Sequence, residues 1–234
     1  MKTLILSVEQ SRKLDRKATE EYGLPSFLLM ENAGRGLAAQ IEKLLQIFPR
    51  TTLLIFMCGG GNNGGDGFVA ARHIYLKHPN VRVYLMSDPK SLKGDALLNF
   101  QILNKLGLTI FPYSEFPKDR RTIFQNTPLV IVDCMLGTGL KGPAEGTYAE
   151  AIHQIIDLKK YHNAKAMVIS ADIPSGLSGD EGPQNGYPAV MADVTVTFGC
   201  MKKGLMLPNS KPYVGRLELT DIGIPEPLLK SFPS

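Results

Sequence analysis

Residues 53–67 of the chain read LLIFMCGGGNNGGDG. The first six residues are a continuous apolar run, which is typical of a strand that is buried on both faces of a sheet. The glycine-rich residues 59–67 then allow a sharp turn, and residues 68–77 have the apolar spacing of a helix. The stretch therefore predicts a strand, a turn and a helix, which together form the repeating unit of a parallel sheet.

The same unit recurs further along the chain. Three more apolar runs have the length of buried strands, at residues 81–86, 129–132 and 166–171. Helical spacing follows the first of them over residues 96–106, before Gly107, and follows the second in a segment that ends at Lys160. Thr147 and Glu150 have the spacing of a capping box at the start of that second helix. Apolar strands separated by helices indicate a doubly wound, Rossmann-like three-layer α/β/α sandwich with a mainly parallel central sheet.

Two further helices are predicted ahead of this unit. Ser7 and Gln10 form a capping box, and the polar helix that they start is expected to end at Gly23. Residues 26–47 have apolar side chains at helical spacing and predict a second helix.

The last part of the chain follows a different pattern. Beyond Asp172 the helical spacing ends, and residues 194–198 and 216–219 predict closing strands between loops rich in glycine and proline. Residues 112–127 favour no particular element. Because no repeat or linker divides residues 1–234, we expect a single domain.

Composition and charge exclude several classes of protein. Hydrophobic residues make up 44% and charged residues 21% of the chain, which is the balance of a globular protein rather than a disordered or membrane protein. The net charge of +4 comes from scattered Lys and Arg residues, which disfavours nucleic-acid binding. The first residues resemble a signal peptide, but polar residues from Ser7 onward end the apolar run too early. We therefore expect these residues to be part of the mature protein.

Cysteine and histidine usage bears on location and metals. The three cysteines are an odd number without CxxC spacing, and the four histidines have no metal-ligand pattern. We therefore expect a reducing compartment, the cytoplasm, and no transition metal.

The glycine-rich residues 59–67 form a first candidate site. Such a backbone can turn with positive φ and leave its amides uncovered, so a ligand phosphate or amide can approach the main chain. The alternative is a tight turn in which Asp66 caps the following helix, although fewer glycines would serve for that.

The same segment also matches a dinucleotide-binding fingerprint. Gly59, Gly61 and Gly64 have the G-x-G-x-x-G spacing, and Asp88 follows the next strand, where a ribose-binding acid could stand. The match leaves the asparagines and the aspartate of the segment unexplained, because a pyrophosphate turn does not need them.

An acidic residue follows the strand at residues 129–132. Asp133 lies at the carboxyl end of this buried strand, where a carboxylate costs desolvation free energy unless a cation or hydrogen-bond donors meet it. We expect Asp133 to face such a partner. The alternative is that it accepts the backbone amides of its own glycine turn.

Asp172 and Ser175 follow the next buried strand, at residues 166–171. Ligands of doubly wound sheets bind outside the carboxyl ends of the strands, so these side chains are expected to converge with those of the two preceding loops. The alternative for Asp172 is a local Asx turn before Pro174.

Taken in order, five segments resemble the NAD(P)H-hydrate epimerase family, also known as the YjeF N-terminal domain family. These segments are GGGNNGGDG, VDCMLGTGLKGP, SADIPSG, TVTFGCMKKGL and DIGIP. The resemblance begins at the segment MENAG, residues 30–34, and covers nearly the whole chain. The ordered set is far more specific than any one motif, and the polar positions of the family are matched.

The resemblance implies an activity and a set of substrate contacts. The family interconverts the R and S forms of hydrated NADH and NADPH, called NADHX and NADPHX. A separate or fused ATP- or ADP-dependent dehydratase, which takes only the S form, then restores the nucleotide. The residues that the resemblance assigns to the substrate are Asn62, Asn63, Gly64, Gly65, Asp66, Gly137, Thr138, Gly139, Leu140, Lys141, Gly142, Pro143 and Asp172.

The resemblance also implies a bound ion and a homodimer. One potassium ion per subunit would be held by Asn63, Asp133 and Ser175, and oxygen ligands suit such a hard cation. Lys202 matches a family lysine to which no role is assigned here. Fused relatives continue beyond the point where this sequence ends, and it has no Walker-type loop for ATP, so we expect no dehydratase activity.

Asp172 is the predicted general acid and base of the epimerisation. The reaction needs a carboxyl group that gives a proton to the departing hydroxyl, takes one from the returning water and stabilises the cation between the two steps. Asp133 is assigned to the ion and Asp66 to its loop, which leaves Asp172 as the best-placed carboxyl.

Two other functions remain open from the sequence. One is an NAD-dependent dehydrogenase that uses the glycine fingerprint, although no hydride-acceptor site is evident. The other is a non-catalytic nucleotide-binding or scaffolding module. Intact polar side chains at Asn62, Asn63, Asp133 and Asp172 argue against a purely structural role.

Overall fold

The computed structural model describes residues 4–118, 127–162 and 165–232. Its main sheet has seven strands: β2 (Leu53–Cys58), β3 (Val81–Leu85), β4 (Ile110–Pro112), β5 (Leu129–Cys134), β6 (Ala166–Ala171), β7 (Val194–Phe198) and β9 (Arg216–Thr220). A separate pair consists of β1 (Ile5–Leu6) and β8 (Met201–Lys202). The helices are α1 (Val8–Tyr22), α2 (Ser26–Leu45), α3 (Asn62–Tyr75), α4 (Gly94–Lys105), α5 (Gly146–His162), α6 (Lys211–Val214) and α7 (Glu226–Lys230).

The strands of the main sheet are all parallel, in the order β4-β3-β2-β5-β6-β7-β9. From β2 the chain builds outward through β3 and β4, and it then returns to β5 on the other side of β2. The order therefore reverses between β2 and β5, and the loops after these two strands diverge to leave a crevice where ligands of doubly wound sheets bind. The predicted Rossmann-like architecture is confirmed.

Two hydrophobic cores cover the two faces of the sheet. In β2, Leu54 and Phe56 pack into the core that contains the apolar residues of α2 and α3. Ile55 and Met57 alternate with them and pack into the core that contains α5. Because neighbouring side chains of a strand point to opposite faces, this division makes the three layers of the sandwich.

The two predicted N-terminal helices are present. Ser7 caps α1 through a complete capping box with Gln10, and the helix ends at Gly23, whose φ of 68° is the left-handed conformation that glycine adopts without strain. The second helix, α2, ends at Leu45, two residues earlier than the spacing predicts.

Several predicted boundaries are wrong. Helix α3 begins at Asn62, not at residue 68, so most of the supposed glycine loop is the first part of a helix and Asp66 is not its cap. Helix α5 begins at Gly146, which leaves Thr147 inside its first turn, and Glu150 accepts from Gln154 instead of closing a capping box. Strand β5 runs on to Cys134.

Two predictions extend beyond the described residues. Pro112 ends β4, and a short 3-10 turn, Tyr113–Glu115, follows it, whereas residues 119–126 of the stretch without a preferred element lie outside the description. The first three residues of the chain also lie outside it.

Among the helices that are described, none has the length and apolar character that crossing a membrane requires.

Strands β1 and β8 attach the N-terminal helix to the rest of the fold. Ile5 pairs with Met201 and Leu6 with Lys202, in parallel register. Helix α1 starts two residues after β1, so this pairing fixes α1 close to the carboxyl ends of the main sheet.

Candidate functional site

A cavity of about 650 Å³ opens at the carboxyl ends of β2, β5 and β6. Each of the three loops that the sequence singles out contributes to its wall, and so do α1 and β8. The polar and glycine residues of the wall include Arg12, Asp15, Gly60, Gly61, Asn62, Asn63, Asp66, Gly137, Thr138, Gly139, Lys141, Tyr148, Asp172 and Lys202.

The wall after β2 is the beginning of α3. Its N-cap is Gly61, which supplies no side-chain cap, and Gly61, Asn62 and Asn63 line the cavity. The positive end of the helix dipole therefore lies at the cavity wall. Such a helix start attracts phosphate groups. A Cβ on Gly64 would lie 1.9 Å from the Gly59 carbonyl oxygen, so the backbone can fold this tightly only with glycine there.

Asp66 faces the cavity from the second turn of α3. It is buried, and within the described residues its carboxyl accepts no hydrogen bond. Burial raises the pKa of Asp66 well above its usual value, and the negative charges of Asp172 and Asp15 raise it further. Burial therefore favours the protonated form of the Asp66 carboxyl.

Asp133 lies beneath the cavity and is fully buried. Its Oδ1 accepts hydrogen bonds from the Ser175 hydroxyl at 2.5 Å and the Met135 amide at 3.2 Å. Its Oδ2 accepts from the Ser170 hydroxyl and the Ser175 amide, both at 2.8 Å. Burial raises the pKa of Asp133, and these hydrogen bonds oppose the rise.

The expected partner of Asp133 is therefore a set of protein donors. Only the Met135 amide comes from the turn that follows Asp133, so the alternative of a purely local turn accounts for one of the four bonds. Asn63 completes the cluster: its Nδ2 donates to the Leu136 carbonyl at 3.0 Å, while its buried Oδ1 has no hydrogen-bond partner in the described structure.

Asp172 is the one non-glycine residue with positive φ among the described residues, at 62°. Its side chain does not form the local Asx turn that the sequence left open. Instead, Oδ1 accepts from Thr197 Oγ1 at 3.1 Å and from the Phe198 amide at 3.4 Å, both on β7. Oδ2 has no hydrogen bond within the described part of the chain. Strained backbone of this kind concentrates at functional sites.

Lys202 forms an ion pair with Asp172. Its side chain is only 2% exposed, and Nζ lies 2.5 Å from Asp172 Oδ1. The same Nζ donates to Thr197 Oγ1 at 3.1 Å and to the Phe198 carbonyl at 2.9 Å. Burial alone would lower the pKa of Lys202, but the charge and hydrogen bond of Asp172 outweigh it and the pKa is raised. The ammonium group therefore stays charged.

The predicted substrate residues divide into two groups. Those that line the cavity are Asn62, Asn63, Asp66, Gly137, Thr138, Gly139, Leu140, Lys141 and Asp172. Gly64 and Gly65 are buried behind that wall, Gly142 lines a smaller neighbouring cavity, and Pro143 lines neither. Asp88 is also absent from the wall of the cavity, because its carboxylate caps the short turn after β3 by accepting from the Lys90 amide at 2.8 Å.

The wall also contains residues that the sequence did not single out, among them Arg12, Asp15 and Tyr148. Arg12 and Asp15 come from α1, and Tyr148 comes from α5. The helical pattern of α1 could have indicated Asp15 as a site residue, because Asp15 lies four residues after the buried Ser11 and next to the buried Leu14. A carboxylate bordering the buried stripe of a polar helix indicates a site that the helix faces.

The site thus combines the carboxyl groups of Asp15, Asp66 and Asp172 and the buried ammonium group of Lys202 around a cavity at a helix start. Such a set can bind a phosphorylated ligand, transfer protons and stabilise a cationic intermediate.

Comparison with known proteins shows the family of the chain. The family described as YjeF-related protein N-terminus matches residues 26–204. The NAD(P)H-hydrate epimerase of Rhodopirellula baltica is 36% identical over 227 residues, which cover 97% of this chain and 87% of that protein. The crystal structure of the yeast protein ynu0 superposes with a TM-score of 0.72 at 22% identity, covers 87% of this chain and 82% of the yeast chain, and supports the fold.

Longer relatives also match. The bifunctional NAD(P)H-hydrate repair enzyme Nnr of Moorella thermoacetica is 37% identical over 226 residues, which cover 96% of this chain but only 41% of that enzyme. The chain thus spans less than half the length of such bifunctional relatives. The family match extends over most of the sequence, and the chain belongs to the family of YjeF-related protein N-terminal domains.

Proposed function

We propose that this protein epimerises the R and S forms of hydrated NADH and NADPH. The observation that carries the proposal is the state of Asp172 at the cavity: its Oδ1 is held by the buried Lys202, while its Oδ2 accepts no hydrogen bond from the described residues. The relative from Rhodopirellula baltica, which is named an NAD(P)H-hydrate epimerase, matches nearly the full length of this chain.

The substrate would lie across the start of α3. The amides after Gly61 and the helix dipole favour a phosphate group there, and the side chains of Asn62 and Lys141 add polar contacts. We propose that the other predicted substrate residues on the cavity wall contact the nucleotide, and that Gly64 and Gly65 act by allowing the backbone to turn.

The chemistry requires a proton and a stabilised cation. In the hydrated nicotinamide ring, the carbon that carries the hydroxyl group is bonded to the ring nitrogen. Once the hydroxyl is protonated, the nitrogen lone pair expels it as water and leaves a planar, iminium-like cation. Asp172 would exchange the proton, its negative charge would favour the cation, and Lys202 would keep the carboxylate in position.

A potassium ion is part of the proposal. Asn63 has a buried amide oxygen without a hydrogen-bond partner among the described residues. Its Nδ2 and the Ser175 hydroxyl both donate to the Leu136 carbonyl, and the same hydroxyl donates to Asp133. Amide, hydroxyl and carboxylate oxygens suit a hard monovalent cation. When bound, the ion supplies positive charge that offsets Asp133 and ties the start of α3 to the loop after β5. The described residues contain no cluster of His, Cys, Asp and Glu side chains typical of other metals.

Partners and location are proposed on indirect support. The bifunctional relatives suggest a functional link to an ATP- or ADP-dependent dehydratase. A homodimer remains a proposal from the family resemblance. A cytoplasmic location is supported by the three cysteines, all of which are free and buried thiols.

The dehydrogenase alternative loses its main support, because Asp88 is committed to a turn outside the cavity. The deciding experiment for the epimerase is chromatographic. Purified protein is added to the R form of NADHX or NADPHX, and the appearance of the S form is followed after subtraction of the uncatalysed rate. Acceleration supports the proposal, and an unchanged rate overturns it.

A further inference from the structure

Inversion at one carbon involves proton transfer on both faces of the ring. The group that protonates the departing hydroxyl lies on one side of the planar cation, and the group that deprotonates the incoming water lies on the other. Asp172 is fixed through Oδ1 by Lys202 and Thr197, so its free Oδ2 can serve one face only. The reaction therefore calls for a second ionisable group on another wall of the cavity.

Helix α1 supplies such a group. Asp15 lines the same cavity as Asp172, on an element that does not belong to the main sheet. Its side chain stays accessible to water, and within the described ranges its carboxyl accepts no hydrogen bond. Hydrogen bonding within the described part of the chain therefore does not tie Asp15 to a structural role.

Two attachments fix α1 against the cavity. Strand β1 pairs with β8 so that Leu6 lies beside Lys202, one residue ahead of the N-cap of α1. Three residues before Asp15, Arg12 Nη2 donates to the Thr138 carbonyl at 2.5 Å, across to the loop after β5. The Asp15 carboxyl is thus presented by a helix that is held to two elements of the site.

The surrounding charges leave Asp15 able to change its protonation state. Desolvation raises the pKa of Asp15 to about 6, the positive charge of Lys202 opposes the rise, and the negative charge of Asp172 adds to it. Water in the cavity screens these charges, and a bound substrate would displace that water. The other ionisable groups around it are Asp66, Cys200 and Arg12.

On the basis of the epimerase function proposed above, we propose that Asp15 is a second catalytic residue, which exchanges protons on the face of the ring opposite to Asp172. In one direction, Asp15 gives its proton to the hydroxyl as the C–O bond breaks, and the nitrogen lone pair forms the C=N bond. A new water then adds to the other face, the C=N pair returns to nitrogen, and Asp172 takes the proton of that water.

In the reverse direction the two carboxyl groups exchange roles. Each turnover moves one proton from one carboxyl to the other, and exchange with solvent restores the starting state, so no oxidant or reductant is consumed. The pair must hold one proton between them, which gives a bell-shaped dependence of rate on pH.

Asp66 is the competing candidate for the second face. Burial raises the pKa of Asp66 and favours its protonated form, so Asp66 is better suited to donate a proton than to accept one. An epimerase that runs in both directions needs a group that does both, which favours Asp15.

The test compares Asp15→Asn with Glu20→Gln, an exposed position on the same helix that loses the same charge. Rates of R-to-S and S-to-R conversion are measured against pH, with the uncatalysed rate subtracted, beside melting temperatures. Asp15→Asn should lower both rates by about 10²-fold or more. It should also remove the fall in kcat/KM that the wild type has as pH rises through about 6, without lowering the melting temperature. Glu20→Gln should behave as the wild type.

Several results would overturn the assignment. A wild-type rate in Asp15→Asn would do so, and so would a reduced rate with an unchanged pH profile, which indicates a structural role. Loss of the same pH limb in Asp66→Asn but not in Asp15→Asn would transfer the role to Asp66. Failure of the wild type itself to accelerate the conversion would overturn the epimerase function, and this assignment with it.

Discussion

The ammonium group of Lys202 lies 2.5 Å from one carboxylate oxygen of Asp172, and the pair connects β8 to the end of β6. The contact holds in place a carboxylate whose residue has a strained backbone, since Asp172 has a φ of 62°. It also keeps a buried positive charge within reach of the cavity.

Breaking this pair from one side should destabilise the protein. Lys202→Met leaves a largely buried carboxylate without its cation, and we expect a loss of about 3 kcal/mol in the free energy of unfolding. The double variant Lys202→Met/Asp172→Asn removes both charges and should regain much of that loss. Urea denaturation of the wild type, both single variants and the double variant measures the coupling. Strictly additive effects would contradict the ion pair.

Gly61 and Gly64, at the start of α3, should respond differently to replacement by alanine. A Cβ on Gly64 would lie 1.9 Å from the Gly59 carbonyl oxygen, so Gly64→Ala should cost more than about 2 kcal/mol of stability. A Cβ on Gly61 meets no atom within 4 Å, so Gly61→Ala should fold normally.

If a phosphate group approaches the amides at Gly61, the new methyl group should weaken nucleotide binding by about tenfold, as for one lost hydrogen bond to a charged group. Calorimetry with a nicotinamide nucleotide and thermal melting separate the two effects. Unchanged affinity in Gly61→Ala would contradict the binding of a phosphate group at these amides.

Potassium should stabilise the folded protein by mass action. We expect a higher melting temperature in potassium buffer than in tetramethylammonium buffer of equal ionic strength. In Asn63→Ala, which lacks the buried amide oxygen, the difference should disappear. Equal melting temperatures of the wild type in the two buffers would contradict the proposed potassium site.

Asp66 should make stability decrease with rising pH. Burial raises the pKa of Asp66 well above 3.8, so the folded state keeps a proton that the unfolded chain releases. Stability contributed by this group is complete below the unfolded pKa and is lost as pH rises toward the folded pKa. Asp66→Asn should therefore gain stability relative to the wild type at neutral pH and lose that gain near pH 4. A stability difference that does not vary with pH would show that Asp66 ionises normally.

Much of the fold follows from local sequence patterns. The apolar runs at β2 and β6 have the bounds that the sequence predicts, because a strand covered by helices on both faces must be apolar along its whole length. The start of α3 does not follow from them, because glycine disfavours a helix. Packing overrides that preference: a Cβ on Gly67 would lie 2.7 Å from the Cβ of Cys134, so the helix can approach β5 only with glycine there.

The site is predictable in part for a similar reason. Asp133 and Asp172 follow buried strands, and parallel topology brings such positions together at one edge of the sheet. Asp15 reaches the same edge through contacts between distant parts of the chain, such as the pairing of Ile5 with Met201 and the hydrogen bond from Arg12 to Thr138. No local pattern encodes such a contact.

The central claim is that Asp172 exchanges the proton in epimerisation, and Asp172→Asn tests it most directly. Asparagine tolerates the left-handed backbone conformation of this position better than most residues, and it keeps the size and much of the hydrogen bonding of the side chain. The measurement is R-to-S turnover of this variant with the uncatalysed rate subtracted, beside calorimetric binding of a nicotinamide nucleotide. We predict that binding persists while turnover falls by about 10²–10⁴-fold. Wild-type turnover in the variant would contradict the account.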